Sequence, residues 1–356
     1  MRRLATHGLR RVPQNLIPRR STPSVLRPGW PDDCHTAALT AAVSEVVGTS
    51  RFTIAHSALS GWKSMGAYRL HVSPTSRPPT TLVLKVAVYS SAVTPAAEAL
   101  DLRPGPPEFA VLAHGGAALQ PHLPHVFHHE TLGSQSGYRY LMEDLGSTHR
   151  PMFGATDFVA IARFLPRLHG AIDAEAGELD RFLLDVDQEA LLVRVEDALR
   201  RVADESAPPL LPQLLKRWPD VAVAWSRPNR TRRRIHGDLN QANILVGQDE
   251  LGIKVLDWEW AMFAEPVDDL AALLKLTDWP LQRRAVRAYA DAAGRPVAEV
   301  RTSYVHARLR RLVLDTAFLG LQSLDASEPV SWLEQSIVGS TRDALRTLRL
   351  IDSQRA

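Results

Sequence analysis

Two short apolar runs in the second half of the chain enclose polar clusters that ordinary core strands do not carry. RIHGDLNQANILV (234–246) is followed by IKVLDWEW (253–260). Runs of this length flanked by turn-forming residues predict a strand, a turn and a second strand. Pairing of the two would bring Asp238, Asn243 and Asp257 to one end. Two carboxylates and an amide oxygen at one point suit Mg²⁺, which takes hard oxygen ligands and keeps positions for phosphate and water. At ordinary residue usage the pattern H-G-D-x-x-x-x-N arises by chance in about one chain of this length in five hundred. Asp and Asn also favour turns, but their joint spacing with Asp257 favours chemistry over a purely structural reading.

The chain around this stretch reads as helical. Phe158, Ile161, Ala162, Leu165 and Leu168 recur at helical spacing, and similar patterns run through 189–202 and 282–350. Pro166 falls inside the first of them, where its missing N–H predicts a kink or an end. Upstream the pattern becomes alternating. Residues 51–60 and 67–72 read as strands around the loop GWKSMG (61–66), PTSRPP (74–79) as a turn, and TLVLKVAVY (81–89) as a largely buried strand interrupted by Lys85. Pro107 followed by EFAVLAHG predicts a helix from near Glu108. HVFHHE and YRYLMEDLG (138–146) read as two further strands.

Composition narrows the class. A chain of 356 residues carries a prior of about two domains. With 45% hydrophobic and 23% charged residues it is too apolar to be mostly disordered. No run approaches the ~18 apolar residues of a membrane span, so no membrane partner is expected. The single cysteine, Cys34, forms no internal disulfide, which points to the cytoplasm. Residues 1–30 hold seven arginines and no acid, whereas the whole chain is only +3, so the body is mildly acidic. Nucleic-acid binding would rest on that tail alone, and none is expected of the body.

HGDLNQAN at 236–243 and LDWEWAMFAEPVDDLA at 256–271 resemble the aminoglycoside phosphotransferase-like family of small-molecule kinases, over residues 50–320. The resemblance implies an α+β, bilobal protein-kinase-like fold: a basic disordered tail (1–34), an N-terminal antiparallel sheet lobe that binds nucleotide (35–144) and a mainly helical C-terminal lobe (145–356). It makes Asp238 the catalytic aspartate, Asn243 and Asp257 the metal ligands, and Asp269 a supporting residue beside His236. Lys85 becomes the strand lysine that grips the α and β phosphates. Its glutamate partner is Glu98 or Glu108, and Glu108 is preferred because EFAVLAHG leading to LPHVF is similar to the family's helix and next strand. Gly61 and Gly66 would shape the phosphate loop, although G-x-G-x-x-G is absent. YLMEDLG would set Met142 behind the adenine, with the Glu143 C=O and Leu145 N–H on its edge. Mg²⁺ and ATP, with GTP as the alternative, are the implied cofactor and co-substrate.

These roles make physical sense. Phosphoryl transfer through a loose transition state needs positioning and charge neutralisation, which a lysine and Mg²⁺ supply on the nucleotide side. Asp238 would orient the acceptor hydroxyl and take its proton late. Gly237 stands where protein kinases carry arginine, and only eight residues separate Asp257 from Pro266, too few for a peptide-docking activation segment. The acceptor expected is therefore a small-molecule hydroxyl: an antibiotic such as an aminoglycoside, or a metabolic amino alcohol or sugar. A non-catalytic nucleotide-binding scaffold is the reading from another class, and retention of Lys85, Asp238, Asn243 and Asp257 argues against it.

Several residues have blander readings. Asp268 and Asp269 can cap the helix they open. His122, His125, His128 and His129 read as surface or loop residues, and Trp258, Trp260 and Trp279 as core more than ligand platform. Glu259 follows the second motif, where a direct metal role stays open. Residues 173–189 hold seven acids against Arg181, either a basin for a cationic acceptor or a solvated face.

Overall fold

The computed structural model describes residues 36–355 apart from 60–64, 89–93, 103–106, 133–136, 153, 176, 178, 207, 227–230, 248–251 and 327–329. The basic tail to residue 34 and Gly61 of the expected phosphate loop lie outside the described residues.

The described chain opens on α1 (Ala37–Val47), a helix that the alternation analysis missed. Its punctuation is local: Thr36 Oγ accepts the Leu39 amide at 3.1 Å, and Gly48, at φ 67°, ends it. Strands β1 (Phe52–Ala58), β2 (Met65–Pro74) and β3 (Thr80–Val88) follow. Then come the short helices α2 (Pro95–Ala99) and α3 (Pro107–His114) and strands β4 (Val126–Thr131) and β5 (Gly137–Glu143). The five strands form one sheet in the order β1-β2-β3-β5-β4, with every pair antiparallel.

Strand periodicity sends the β3 side chains to opposite faces. Leu82 and Leu84 pack with Leu70, Val72 and Leu141 against Leu39, Val43 and Val47 of α1. Each such burial stabilises by about 1.5–3 kcal/mol. Val83 joins the larger core on the other face, and Lys85 shares its direction.

The remainder is mainly helical: β6 (His149–Pro151), α4 (Gly154–Ala174), α5 (Gln188–Ser206), α6 (Leu211–Lys216), α7 (Trp218–Trp225), β7 (Arg233–Ile235), β8 (Ile244–Gly247), β9 (Ile253–Val255), β10 (Met262–Ala264), α8 (Val267–Leu274), α9 (Trp279–Ala293), α10 (Val297–Leu324) and α11 (Ser331–Arg355). Helix α4 does not end at Pro166. The proline forfeits a backbone bond at a cost on the order of 3 kcal/mol. Ile161, Ala162, Leu165, Leu168 and Ile172 are buried on both sides of it, and packing of that face outweighs the local penalty.

Strands β8 and β9 pair as expected, with Ile244 opposite Val255. β7 does not extend that hairpin. It pairs antiparallel with β10, Ile235 opposite Met262, so the loop after β7 and the loop after β9 are each anchored at both ends. No helix among the described residues is long and apolar enough to cross a membrane.

Candidate active site

The lysine of β3 reaches across to the helical part. Lys85 Nζ donates to Glu108 Oε1 at 2.8 Å and to Asp257 Oδ1 at 2.9 Å, and lies 3.6 Å from Glu259 Oε1. Glu108 sits in the first turn of α3, whereas Glu98 is exposed on α2. Burial alone would lower the Lys85 pKa, but the three carboxylates hold it well above the ordinary lysine range. Burial pushes Glu108 up, and the Lys85 charge offsets this only in part. Burial opposes ionisation of Asp257 too, yet its contact with Lys85 brings it below the usual range. Glu259 is pushed up to about 8 by burial and by the Asp257 charge. The cluster thus holds more negative charge than its one lysine neutralises.

Asp257 adopts φ 64° and ψ 61°, a left-handed conformation costing about 1–2 kcal/mol for a residue with a side chain. Aspartate tolerates it better than most, and such strain collects where geometry matters. Asn243 closes a 3-10 turn from Gln241. Its carbonyl accepts the Leu256 amide at 2.9 Å, which places it beside Asp257, and its Nδ2 donates to the Asp238 carbonyl at 2.9 Å. Asp238, Asn243 and Asp257 therefore gather at the end of the β8–β9 hairpin.

The loop carrying Asp238 is braced from three sides. Asp269, fully buried in α8, accepts the His236 amide at 2.9 Å, the Gly237 amide at 2.8 Å and His169 Nε2 at 2.9 Å. Burial opposes its charge, but the His169 bond and the other donors keep its carboxyl below the ordinary range. Asp269 thus faces the loop and caps nothing; helix α8 has no side-chain cap, and Asp268 accepts the Glu265 amide. His236 Nε2 lies 2.8 Å from the Leu256 carbonyl while its Nδ1 faces the Asp238 amide at 3.3 Å, which selects the Nε2–H tautomer. Gly237 sits at φ 83°, and a Cβ there would stand 2.0 Å from the Trp260 carbonyl. Backbone geometry demands this glycine, in addition to the space it leaves.

Arg311 of α10 is the residue that the sequence did not reveal. Its Nη2 donates to Asp238 Oδ1 and its Nη1 to the Gly237 carbonyl at 2.9 Å. RLRRLVLD reads as an ordinary helical stretch, and only the fold brings it to the loop. Arg69 of β2 was missed in the same way. It grips Asp144 at 2.6 Å and 3.2 Å, pinning the segment between Glu143 and Leu145. Met142 is buried, and the Glu143 amide donates to the His125 carbonyl at 2.9 Å. Gly66 lies in β2 opposite Val86, next to the Ala67–Lys85 pair.

The acid-rich segment is not a free basin. Arg232 pairs with Asp185, Arg233 with Asp173, and Arg234 holds Asp180 bidentately at 2.5 and 2.6 Å. Asp187 caps α5 by accepting the Glu189 and Ala190 amides. Trp258 is fully buried and donates to the Val255 carbonyl, Trp260 packs edge-on to Phe318, and Trp279 starts α9 at 38% exposure. His122 contacts the Ile253 carbonyl and Phe164, and His129 packs on Phe109.

A family model described as the phosphotransferase enzyme family matches residues 68–309, more than half of the chain. The chain belongs to that family. No match was found among curated protein sequences. Solved structures resemble this phosphotransferase in fold: a choline/ethanolamine kinase family protein from Mesorhizobium loti (TM-score 0.56, 16% identity, 82% of this chain and 87% of that one) and choline kinase from Cryptosporidium parvum (TM-score 0.57, 10% identity, 85% and 90%). A third is a thermostable mutant of aminoglycoside phosphotransferase APH(4)-Ia in ternary complex with ADP and hygromycin B (TM-score 0.55, 15% identity, 88% and 98%). Family and fold make this phosphotransferase a small-molecule kinase with a protein-kinase-like architecture.

Proposed function

We propose that this phosphotransferase moves the γ-phosphoryl group of ATP to a hydroxyl of a small molecule, with Asp238 as the group that orients the acceptor. The observation that carries the reading is the meeting of Lys85, from the sheet, with Asp257, from the loop after β9, at the hairpin end that also gathers Asp238 and Asn243.

The donor set fits Mg²⁺. Oxygen atoms of Glu108, Asp257 and Glu259 lie within 4.8 Å of one another, all are hard ligands, and the raised Glu259 carboxyl marks unneutralised charge. Asp257 and Asn243 would hold the ion, with Glu259 alongside. When bound, Mg²⁺ neutralises charge on the β and γ phosphates. Lys85, oriented by Glu108, binds the α and β phosphates. Met142 and the backbone at Glu143 and Leu145 receive the base, and Gly66 lies near the phosphates. Asp238 accepts the acceptor O–H; the hydroxyl oxygen bonds to the γ-phosphorus, the bond to the β-phosphate oxygen breaks, and the proton passes to Asp238.

The structural neighbours act on choline and aminoglycosides by their names, and either acceptor is cationic. The acids at 173–189 give such a cation little support, because Asp173, Asp180 and Asp185 are spent on arginines. Calorimetric titration of ATP tests the nucleotide site: Mg²⁺ should strengthen binding to the wild type, and Lys85→Met and Asp257→Asn should weaken it. Equal binding by all three proteins would refute the site.

A further inference from the structure

Asp238 is held by more than its own loop. Asn240 Nδ2 donates to Oδ2 at 3.0 Å, and Arg311 Nη2 donates to Oδ1. One donor on each oxygen fixes the plane of the carboxylate and still leaves lone pairs for one more donor. The second prong of Arg311 takes the Gly237 carbonyl at 2.9 Å, so the guanidinium ties the backbone of one residue and the side chain of the next into one unit.

Arg311 also has a countercharge behind it. Its Nε lies 3.0 Å from Asp315 Oδ1, one turn along α10, and Asp315 Oδ2 accepts from Lys275 Nζ at 2.9 Å. A chain of alternating charge therefore runs from α8's end through α10 to the loop: Lys275, Asp315, Arg311, Asp238. Burial would lower the Arg311 pKa, but Asp315 and Asp238 raise it, so the guanidinium is permanently charged. Burying a guanidinium is expensive unless it is fully paired. A charge serving only to fasten α10 needs Asp315 alone; the second carboxylate and the carbonyl serve the loop.

Resting on the reading of Asp238 given above, we propose that Arg311 is the positioning residue that aims the Asp238 carboxylate at the acceptor hydroxyl. The planar fork is essential to this job. A lysine can neutralise Asp238, but it cannot hold a carbonyl and a carboxylate at a fixed angle. The catalytic loop then takes its final geometry from α10, a helix contributed from 73 residues further along the chain.

Water can stand in for the unidentified acceptor. In single-turnover hydrolysis of Mg²⁺-ATP, a water oxygen bonds to the γ-phosphorus, the bond to the β-phosphate oxygen breaks, ADP leaves and the water proton passes to Asp238. The full-length wild type is compared with Arg311→Met, Arg311→Lys, Asp238→Ala and the double variant Arg311→Met/Asp238→Ala, with Mg²⁺-ADP affinity measured in parallel. Arg311→Met should slow hydrolysis about 10²-fold, the cost of ångström-scale misplacement, with ADP affinity within about two-fold of wild type. Arg311→Lys should remain slowed about ten-fold or more, because charge without the fork does not aim. In the Asp238→Ala background, adding Arg311→Met should change the rate less than about two-fold, since the group it aims is gone. Where Arg311→Met does not fold, Asp315→Asn keeps the guanidinium but removes the charge that faces its Nε, and the same comparison in the Asp238→Ala background is made with it.

Three results would overturn the proposal: a wild-type rate in Arg311→Met or in its Asp315→Asn substitute, full activity in Arg311→Lys, or undiminished loss on top of Asp238→Ala. The last would mean that Arg311 acts on the phosphoryl group or on the fold at large. If Asp238→Ala itself hydrolyses ATP at the wild-type rate, the reading of Asp238 falls, and the assignment of Arg311 falls with it.

Discussion

Lys85 Nζ stands 2.9 Å from Asp257 Oδ1, a residue 172 positions further along the chain. That ion pair joins the sheet to the helical part at the place where the negative cluster of Glu108, Asp257 and Glu259 is densest. The lysine acts there as a fixed countercharge. Removing it leaves three carboxylates facing one another.

Lys85→Met should therefore destabilise the protein by about 3 kcal/mol in the presence of EDTA, the usual consequence of stripping one partner from a buried ion cluster. Mg²⁺ should restore part of this loss, since a divalent cation can replace the missing charge. Urea unfolding with and without Mg²⁺ reads both effects. A variant as stable as wild type in EDTA would show that the cluster is not strained by its own charge.

Asp257→Asn should keep the fold. Asparagine adopts the left-handed conformation at φ 64° about as readily as aspartate, so the turn survives while the charge is lost. Turnover should fall about 10²–10³-fold, as when an electrostatic stabiliser is removed from a phosphoryl-transfer site. Unchanged circular dichroism with this loss is the expected pair of results; unchanged turnover would take Asp257 out of the chemistry.

Gly237→Ala should cost more than about 2 kcal/mol, because a left-handed φ and a Cβ 2.0 Å from the Trp260 carbonyl act together. The damage falls on the loop that carries Asp238, so activity should drop further than stability does. Thermal unfolding together with turnover checks this, and a fully active alanine variant would contradict it.

Much of this arrangement was legible locally, and the exceptions share one cause. The strands around Lys85, the start of α3 at Pro107 and the gathering of Asp238, Asn243 and Asp257 follow from alternation, a proline and a hairpin, each contained within a few residues. Asp269 is different. Its place in the first turn suggests a cap, the family resemblance makes it a supporting residue of the loop, and the packing of α8 under the loop gives it the His236 and Gly237 amides as partners. The acids at 173–189 read as a charged surface because their partners, Arg232, Arg233 and Arg234, lie at the start of the segment leading into Asp238, far along the chain. At Pro166 the expected end of the helix is absent for the opposite reason, since burial on both sides outweighs a local rule. Charge pairing across long sequence separation is set by tertiary structure and leaves no periodic signature.

Acid stability should follow the buried carboxylates. The pKa of Asp269 is held down against burial by His169 and its other donors, and Asp315 and Asp144 are likewise lowered by their partners despite burial. A group with a lowered folded-state pKa contributes its stability above its unfolded value, about 3.9 for aspartate, and loses it as pH falls through the folded value. Urea stability of the wild type should fall steeply below about pH 4. Asp269→Asn should be about 2 kcal/mol less stable at neutral pH and should fall less steeply in acid. Parallel acid limbs in the two proteins would contradict this account of Asp269.

The most direct measurement is a mass-spectrometric screen of the purified protein with Mg²⁺ and ATP or GTP against pooled hydroxylated compounds, with aminoglycosides, other antibiotics, sugars and amino alcohols in separate pools and Asp238→Ala in parallel. The account predicts that one compound gains a single phosphoryl group with the wild type and that the gain disappears with Asp238→Ala. Transfer that persists at the wild-type rate in Asp238→Ala would contradict it.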